Sequence, residues 1–137
     1  MLGELAYAVA DLEWDIVGDG RVAMAGFDQA DLLGLSTGQI GRKLQGAAVG
    51  IVARPTIQLF VATSADALID VADRRNAVLH ARPYRTPEGE DLLLRLRRGK
   101  DGQPERFCIT FEHLDEQLQA VRAWADKVKA VRVYPLD

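Results

Sequence analysis

Pro55 and Pro83 bracket the stretch that most constrains how this chain can fold. Proline is tolerated at the start of a helix and breaks its interior. The residues between the two prolines repeat their apolar positions at helical spacing, which predicts one long helix from about Thr56 to Ala81, eased at Thr63-Ser64 and closed by Pro83 and Pro87. On a wheel of about 100° per residue, Ile57, Phe60, Val61, Leu68, Val71, Val78 and Leu79 fall along one line. A stripe of this length must be covered by other elements.

Those elements are legible on either side. Leu5, Val9, Leu12 and Ile16 predict an amphipathic helix over residues 2–18, ended by Gly18 and Gly20. A short helical piece follows at Gln29 to Leu33. Ser36-Thr37-Gly38-Gln39 has the form of a capping box and opens another helix, with Ile40, Leu44, Ala47, Ala48 and Ile51 as its buried stripe. Gly38, Gly41, Gly46 and Gly50 weaken that helix and let a neighbour come close. No strand precedes them and no GK[ST] follows, so they do not form a phosphate-binding loop. Asp91–Arg97 and Arg106–Phe111 flank Gly-Lys-Asp-Gly and read as a β-hairpin. Leu92, Leu94 and Leu96 share one face of it, and Leu93, Arg95 and Arg97 the other. Leu114, Leu118, Val121, Ala125 and Val128 mark the last helix. The expected fold is mainly α: an up-and-down bundle of about four helices forming one domain over residues 1–137, with a hairpin at about 91–111 inserted before the last helix. The tail from Val131 to Asp137 either adds a strand to the hairpin or frays.

With 137 residues, 48% hydrophobic and 27% charged, the chain suits one folded domain rather than a disordered one. No apolar run approaches the roughly 18 residues of a membrane span, and the N-terminus does not read as a signal peptide. Cys108 is the sole cysteine; it reads as a small buried hydrophobe, and a cytoplasmic location is the default. One thiol and two distant histidines make a poor metal site.

The net charge of −3 gives no support to broad nucleic-acid binding, but its distribution is uneven. Residues 1–73 hold 4 basic and 10 acidic side chains, whereas residues 74–106 hold 9 and 5. The basic segment begins inside the long helix. Arg75 falls on the apolar line itself, with Asn76 and His80 on its flank. Burying an unpaired guanidinium costs several kcal/mol. Arg75 therefore snorkels to the bundle end, pairs with a carboxylate such as Glu13 or Asp15, or faces a cleft or subunit interface. Arg75 and His80 are five positions apart, about 7.5 Å along the axis, a gap that a long side chain closes, so the two groups could reach one small anion.

Arg75-Asn76-Ala77-Val78-Leu79-His80 reads R-N-x-x-x-H at the end of a helix, directly before a prolyl break. It resembles the hallmark motif of the HEPN superfamily, small helical bundles many of whose members are metal-independent ribonucleases. The resemblance covers roughly residues 1–81 and 112–132; the hairpin departs from it. It implies a homodimer with a cleft between motif helices, and no metal or other cofactor. Arg75 would bind the scissile phosphate, His80 would act as general acid or base, and Asn76 would orient His80 or hold the phosphate. The RNA's own 2′-hydroxyl would attack, leaving a 2′,3′-cyclic phosphate. Arg74, Arg82 and Arg85 would follow the RNA backbone, with Arg95, Arg97, Arg98, Lys100 and Arg106 on the hairpin as weaker candidates. Tyr84 reads as a core or surface residue, with base stacking the second option, and His113 as a surface or capping residue. The acidic total charge suits a regulated enzyme, a toxin held by an antitoxin protein, or an RNA-targeting defence factor. The alternative is a non-catalytic HEPN-like module that binds RNA, a nucleotide or a protein.

Overall fold

The computed structural model describes residues 2–23, 29–32, 34–51 and 54–133. Four helices, α1 (Leu2–Ala23), α2 (Thr37–Val49), α3 (Pro55–Leu79) and α4 (Phe111–Ala130), carry most of the chain. A 3-10 turn (Gln29–Leu32) precedes α2. Between α3 and α4 lies an antiparallel sheet of β1 (Arg82–Arg85), β2 (Asp91–Arg98) and β3 (Pro104–Ile109), in that spatial order. The expected insertion before the last helix is present, with one strand more than the hairpin. Residue 33 and residues 134–137, on which two sequence expectations partly fall, lie outside the described residues.

Three helix starts have a local cause. In α2, the Ser36 hydroxyl accepts from the Gln39 N–H at 3.2 Å, and the Gln39 side chain accepts from the Ser36 N–H at 2.8 Å. This closes the expected capping box. Pro55 starts α3, which runs unbroken through Thr63-Ser64. Thr110 caps α4 by accepting from the His113 N–H at 3.1 Å. The exception is α1, which continues past Gly18 and Gly20 to Ala23. Two helical glycines cost about 2 kcal/mol together. Packing opposes that cost: Ile16, Val17 and Gly20 are buried, and Asp19 pairs with Arg132 beyond the end of α4 at 2.8 Å.

The central element is α3, which packs against each of the other three helices. Phe60, Val61, Leu68 and Val71 are fully or almost fully buried, together with Leu5, Val9 and Ile16 of α1 and Leu118 and Val121 of α4. Leu79, placed on the same stripe by the wheel, is instead exposed at the helix end. Ile40, Leu44 and Ala48 of α2 are buried, whereas Ala47 is exposed and Ile51 half-buried. The expected close approach occurs at Gly41, where an added Cβ would sit 2.9 Å from the Ile69 side chain and 3.1 Å from its backbone nitrogen. Nothing lies near Gly46.

The sheet has one covered and one bare face. Leu93 pairs with Ile109, which is buried, and Arg95 with Phe107, which packs on the core. Side chains alternate along a strand. The opposite face therefore carries Arg82, Leu94 and Cys108 in one register row, Tyr84 and Leu92 in another, then Leu96 with Arg106 and Arg98 with Pro104. The extra strand β1 explains Pro83: as an edge strand, β1 has a side that needs no donor. Cys108 is half-buried on this outer face rather than deep in the core. Val131 and Val133 pack on the core, and the described part of the tail forms no strand. No helix among the described residues is long and apolar enough to cross a membrane.

Candidate nucleic-acid interface at the end of the third helix

Two of the three Arg75 guanidinium nitrogens find partners inside their own chain. Its Nη1 donates to the Thr37 hydroxyl at 3.0 Å, and that hydroxyl donates to a Glu13 carboxylate oxygen at 2.7 Å. Thr37 is the first residue of α2 and is buried. A three-residue relay thus links α3, α2 and α1. Among the carboxylates anticipated for Arg75, Glu13 is reached, but through an intervening hydroxyl. Arg75 Nη2 also donates to Asn76 Oδ1 at 3.3 Å, while its buried Nε has no partner.

His80 lies elsewhere. It is the C-cap of α3, with its backbone N–H donating to the Asn76 carbonyl at 3.0 Å. Its exposed side chain lines a groove of about 680 Å³ together with Arg82, Pro83, Tyr84, Leu94, Arg95, Leu96 and Arg106. The groove follows from the strand register. β1 pairs with β2 only from Asp91 to Leu94, so the edge of β2 from Arg95 onward has no β1 partner. Arg95, whose register partner Phe107 lies on the covered face, lines the groove at this edge together with residues of the outer face. The structure therefore groups Arg75 with Asn76, and His80 with Arg82; Arg75 does not line the His80 groove.

The other expected phosphate contacts divide in the same way. Arg74 turns to α4: its Nε donates to Asp70 at 2.7 Å and its Nη1 to Gln117 at 2.9 Å. Asp70 also accepts from the Trp124 indole N–H at 2.7 Å. Burial pushes the Asp70 pKa up, but the Arg74 and Trp124 hydrogen bonds and the charges of Arg74 and Lys127 outweigh it and hold the carboxyl below its ordinary value. Arg85 pairs with Asp91 at 2.8 Å and Arg97 with Glu105 at 2.9 Å. Arg97 also stacks on Phe107, whose ring meets His113 edge-on at 4.8 Å. His113 is thus tied to the cap of α4, close to its expected role.

Arg82, Arg95 and Arg106 line one groove beside His80 and Tyr84, with no carboxylate among the lining residues. Such a set can hold phosphate oxygens by forked, charge-assisted hydrogen bonds. Leu94, Leu96 and Tyr84 add an apolar wall for the less polar part of the same ligand. Two of the three guanidiniums were weak sequence candidates, Arg95 and Arg106. The only signal for them was their density in the hairpin, because β1 and its short register could not be anticipated. Among the described residues, no group of three or more His, Cys, Asp or Glu is placed to hold a metal ion. In comparisons with known proteins, no family model, no curated protein and no solved structure matches this chain.

Proposed function

We propose that this protein is a HEPN-like RNA-binding module that holds the RNA backbone in the His80 groove. One observation carries the reading: three guanidiniums and an imidazole line one open groove from which carboxylates are missing, in a chain that is otherwise acidic. The guanidiniums supply the attraction to phosphate, and the positive field is local rather than global. The R-N-x-x-x-H resemblance favours RNA as the polyanion. Anisotropy of a labelled oligoribonucleotide tests this. Arg82→Glu with Arg106→Glu should weaken binding by at least tenfold while helical circular dichroism is retained. Unchanged affinity in that variant would overturn the reading.

A second reading, metal-independent endoribonuclease activity, is favoured by the placement of His80 in the same groove as the three guanidiniums. Imidazole suits proton transfer near neutral pH. His80 would take the proton of the 2′-hydroxyl, and the 2′-oxygen would attack phosphorus. The P–O5′ bond would break, a proton would return to the leaving 5′-oxygen, and a 2′,3′-cyclic phosphate would remain. Charge on the phosphorane would be met by Arg82 and Arg106, because Arg75 is engaged by Thr37. The homodimer implied by the resemblance belongs to this reading. Cleavage of RNA in EDTA that is lost in His80→Ala, with binding retained, would support it. Intact RNA after prolonged incubation with the wild type would restrict the protein to binding.

A further inference from the structure

Two bare surfaces of this molecule complement one another. The first is the outer face of the sheet. Leu92, Leu94, Leu96 and Tyr84 run across it, with Leu96 67% and Tyr84 43% exposed. The charged residues that the register places on this face are Arg82, Arg98 and Arg106, all cationic. The acids of the strands, Asp91 and Glu105, fall on the other face, where they pair with Arg85 and Arg97.

The second surface is the outer stripe of α1. Tyr7 and Trp14 are seven residues apart, hence nearly in line along a helix. They are 73% and 60% exposed. Asp11 and Asp15 lie on the same exposed stripe. A shallow groove of about 440 Å³ runs beside Tyr7, Asp11 and Asp15, with Arg122 of α4 on its far wall. Exposed aromatic rings next to carboxylates suit guanidinium groups, which stack on the rings and fork onto the carboxylates.

We infer that α1 of a second copy of this chain docks across the outer face of the sheet, with Trp14 and Tyr7 on the leucine row and Asp11 and Asp15 against the flanking arginines. Charge selects this occupant. Face-to-face pairing of two sheets would bring the two sets of arginines together, whereas α1 presents the opposite sign. Length permits it: the α1 stripe from Tyr7 to Asp15 spans about 12 Å at 1.5 Å per residue and fits within the length of β2. The eight residues of β2 span roughly 23 Å at 3.3 Å per step. A helix laid there also gives the sheet a second covering layer. The contact is head-to-tail, so it propagates into rings or chains rather than closing a two-fold dimer. It does not depend on the proposed function, but it shares Arg82 and Arg106 with the RNA groove. If the proposed RNA binding holds, RNA and a second copy compete for these arginines.

Sedimentation velocity over a concentration series, in ~20 mM and ~0.5 M salt, tests this with a charge swap. The wild type should gain mass with concentration at low salt and lose that gain at high salt. Asp11→Arg with Asp15→Arg should be monomeric alone, as should Arg98→Glu with Arg106→Glu. Mixed in equal amounts, the two variants should associate again, because each then carries what the other needs. Trp14→Ala should weaken the wild-type assembly at least fivefold with the helical signal unchanged. A wild type that stays monomeric at low salt would overturn the inference. So would an assembly indifferent to these substitutions, or a mixture of two folded variants that stays monomeric.

Discussion

Arg75 shows how a charge on an apolar stripe is accommodated: its guanidinium reaches a buried threonine hydroxyl, which passes the polarity on to Glu13. Thr37→Val removes the acceptor of one hydrogen bond and the donor of the other. It should lower unfolding free energy by about 1–3 kcal/mol in a urea titration, since hydrogen bonds to charged groups are each worth roughly 1.5–3 kcal/mol and relaxation recovers part. RNA affinity should stay within about twofold, because Arg75 does not line the groove. Asp70 supplies a second prediction. Its carboxyl is held below its ordinary value, so its contribution to stability is complete above the unfolded-state pKa, near 4, and is lost as pH falls through the lower folded-state value. Asp70→Asn should therefore reduce stability at neutral pH and flatten the acid side of the stability–pH curve. A curve of wild-type steepness in that variant would contradict the assignment.

At the scale of elements, helices were legible where the pattern was long and the cap local. The Ser36 box and the stripe of α4 are self-contained signals, and both stand in the structure. The end of α1 was not legible, because helix propensity counts Gly18 and Gly20 as stops and cannot see Asp19 meeting Arg132 from the far end of the chain. β1 was hidden for a related reason: Pro83 ends a helix equally well whether a loop or an edge strand follows. Without β1 the groove has no wall, so the grouping of His80 with Arg82, Arg95 and Arg106 could not be read from spacing. Helix periodicity placed Arg75 and His80 near one another along the axis, but not the opposing elements that draw them apart. Gly41 offers a test at this scale. Gly41→Ala places a methyl against Ile69 and Leu68. The gain in helix propensity, about 1 kcal/mol, opposes an overpacking cost of roughly 1–3 kcal/mol. A net loss of melting temperature is expected, whereas Gly46→Ala, with nothing near it, should raise it.

At the scale of the whole molecule, the acidic α1 and the basic outer face of the sheet make the protein electrically two-sided. RNA binding through three guanidiniums should show a slope of about −2 in log affinity against log salt, from roughly 0.7 per neutralised phosphate of a single strand. A slope near zero would mean that the groove does not meet the backbone. The sheet is also the part least covered by the remainder, with one face bare and β1 and β3 both edge strands. Its strands should exchange backbone amide hydrogens faster than the central turns of α3, which are buried on several sides.

The two tryptophans stand in unlike surroundings: Trp124 is fastened to Asp70 beneath the Lys127 ammonium, while Trp14 stands largely in solvent. The chain thus carries two native optical reporters that answer different questions. Acrylamide reaches Trp14 first, so quenching of the accessible fraction tracks whether α1 is covered. The shielded fraction tracks whether α3 and α4 remain joined. With both signals in one cuvette, loss of assembly can be told apart from loss of fold without any label.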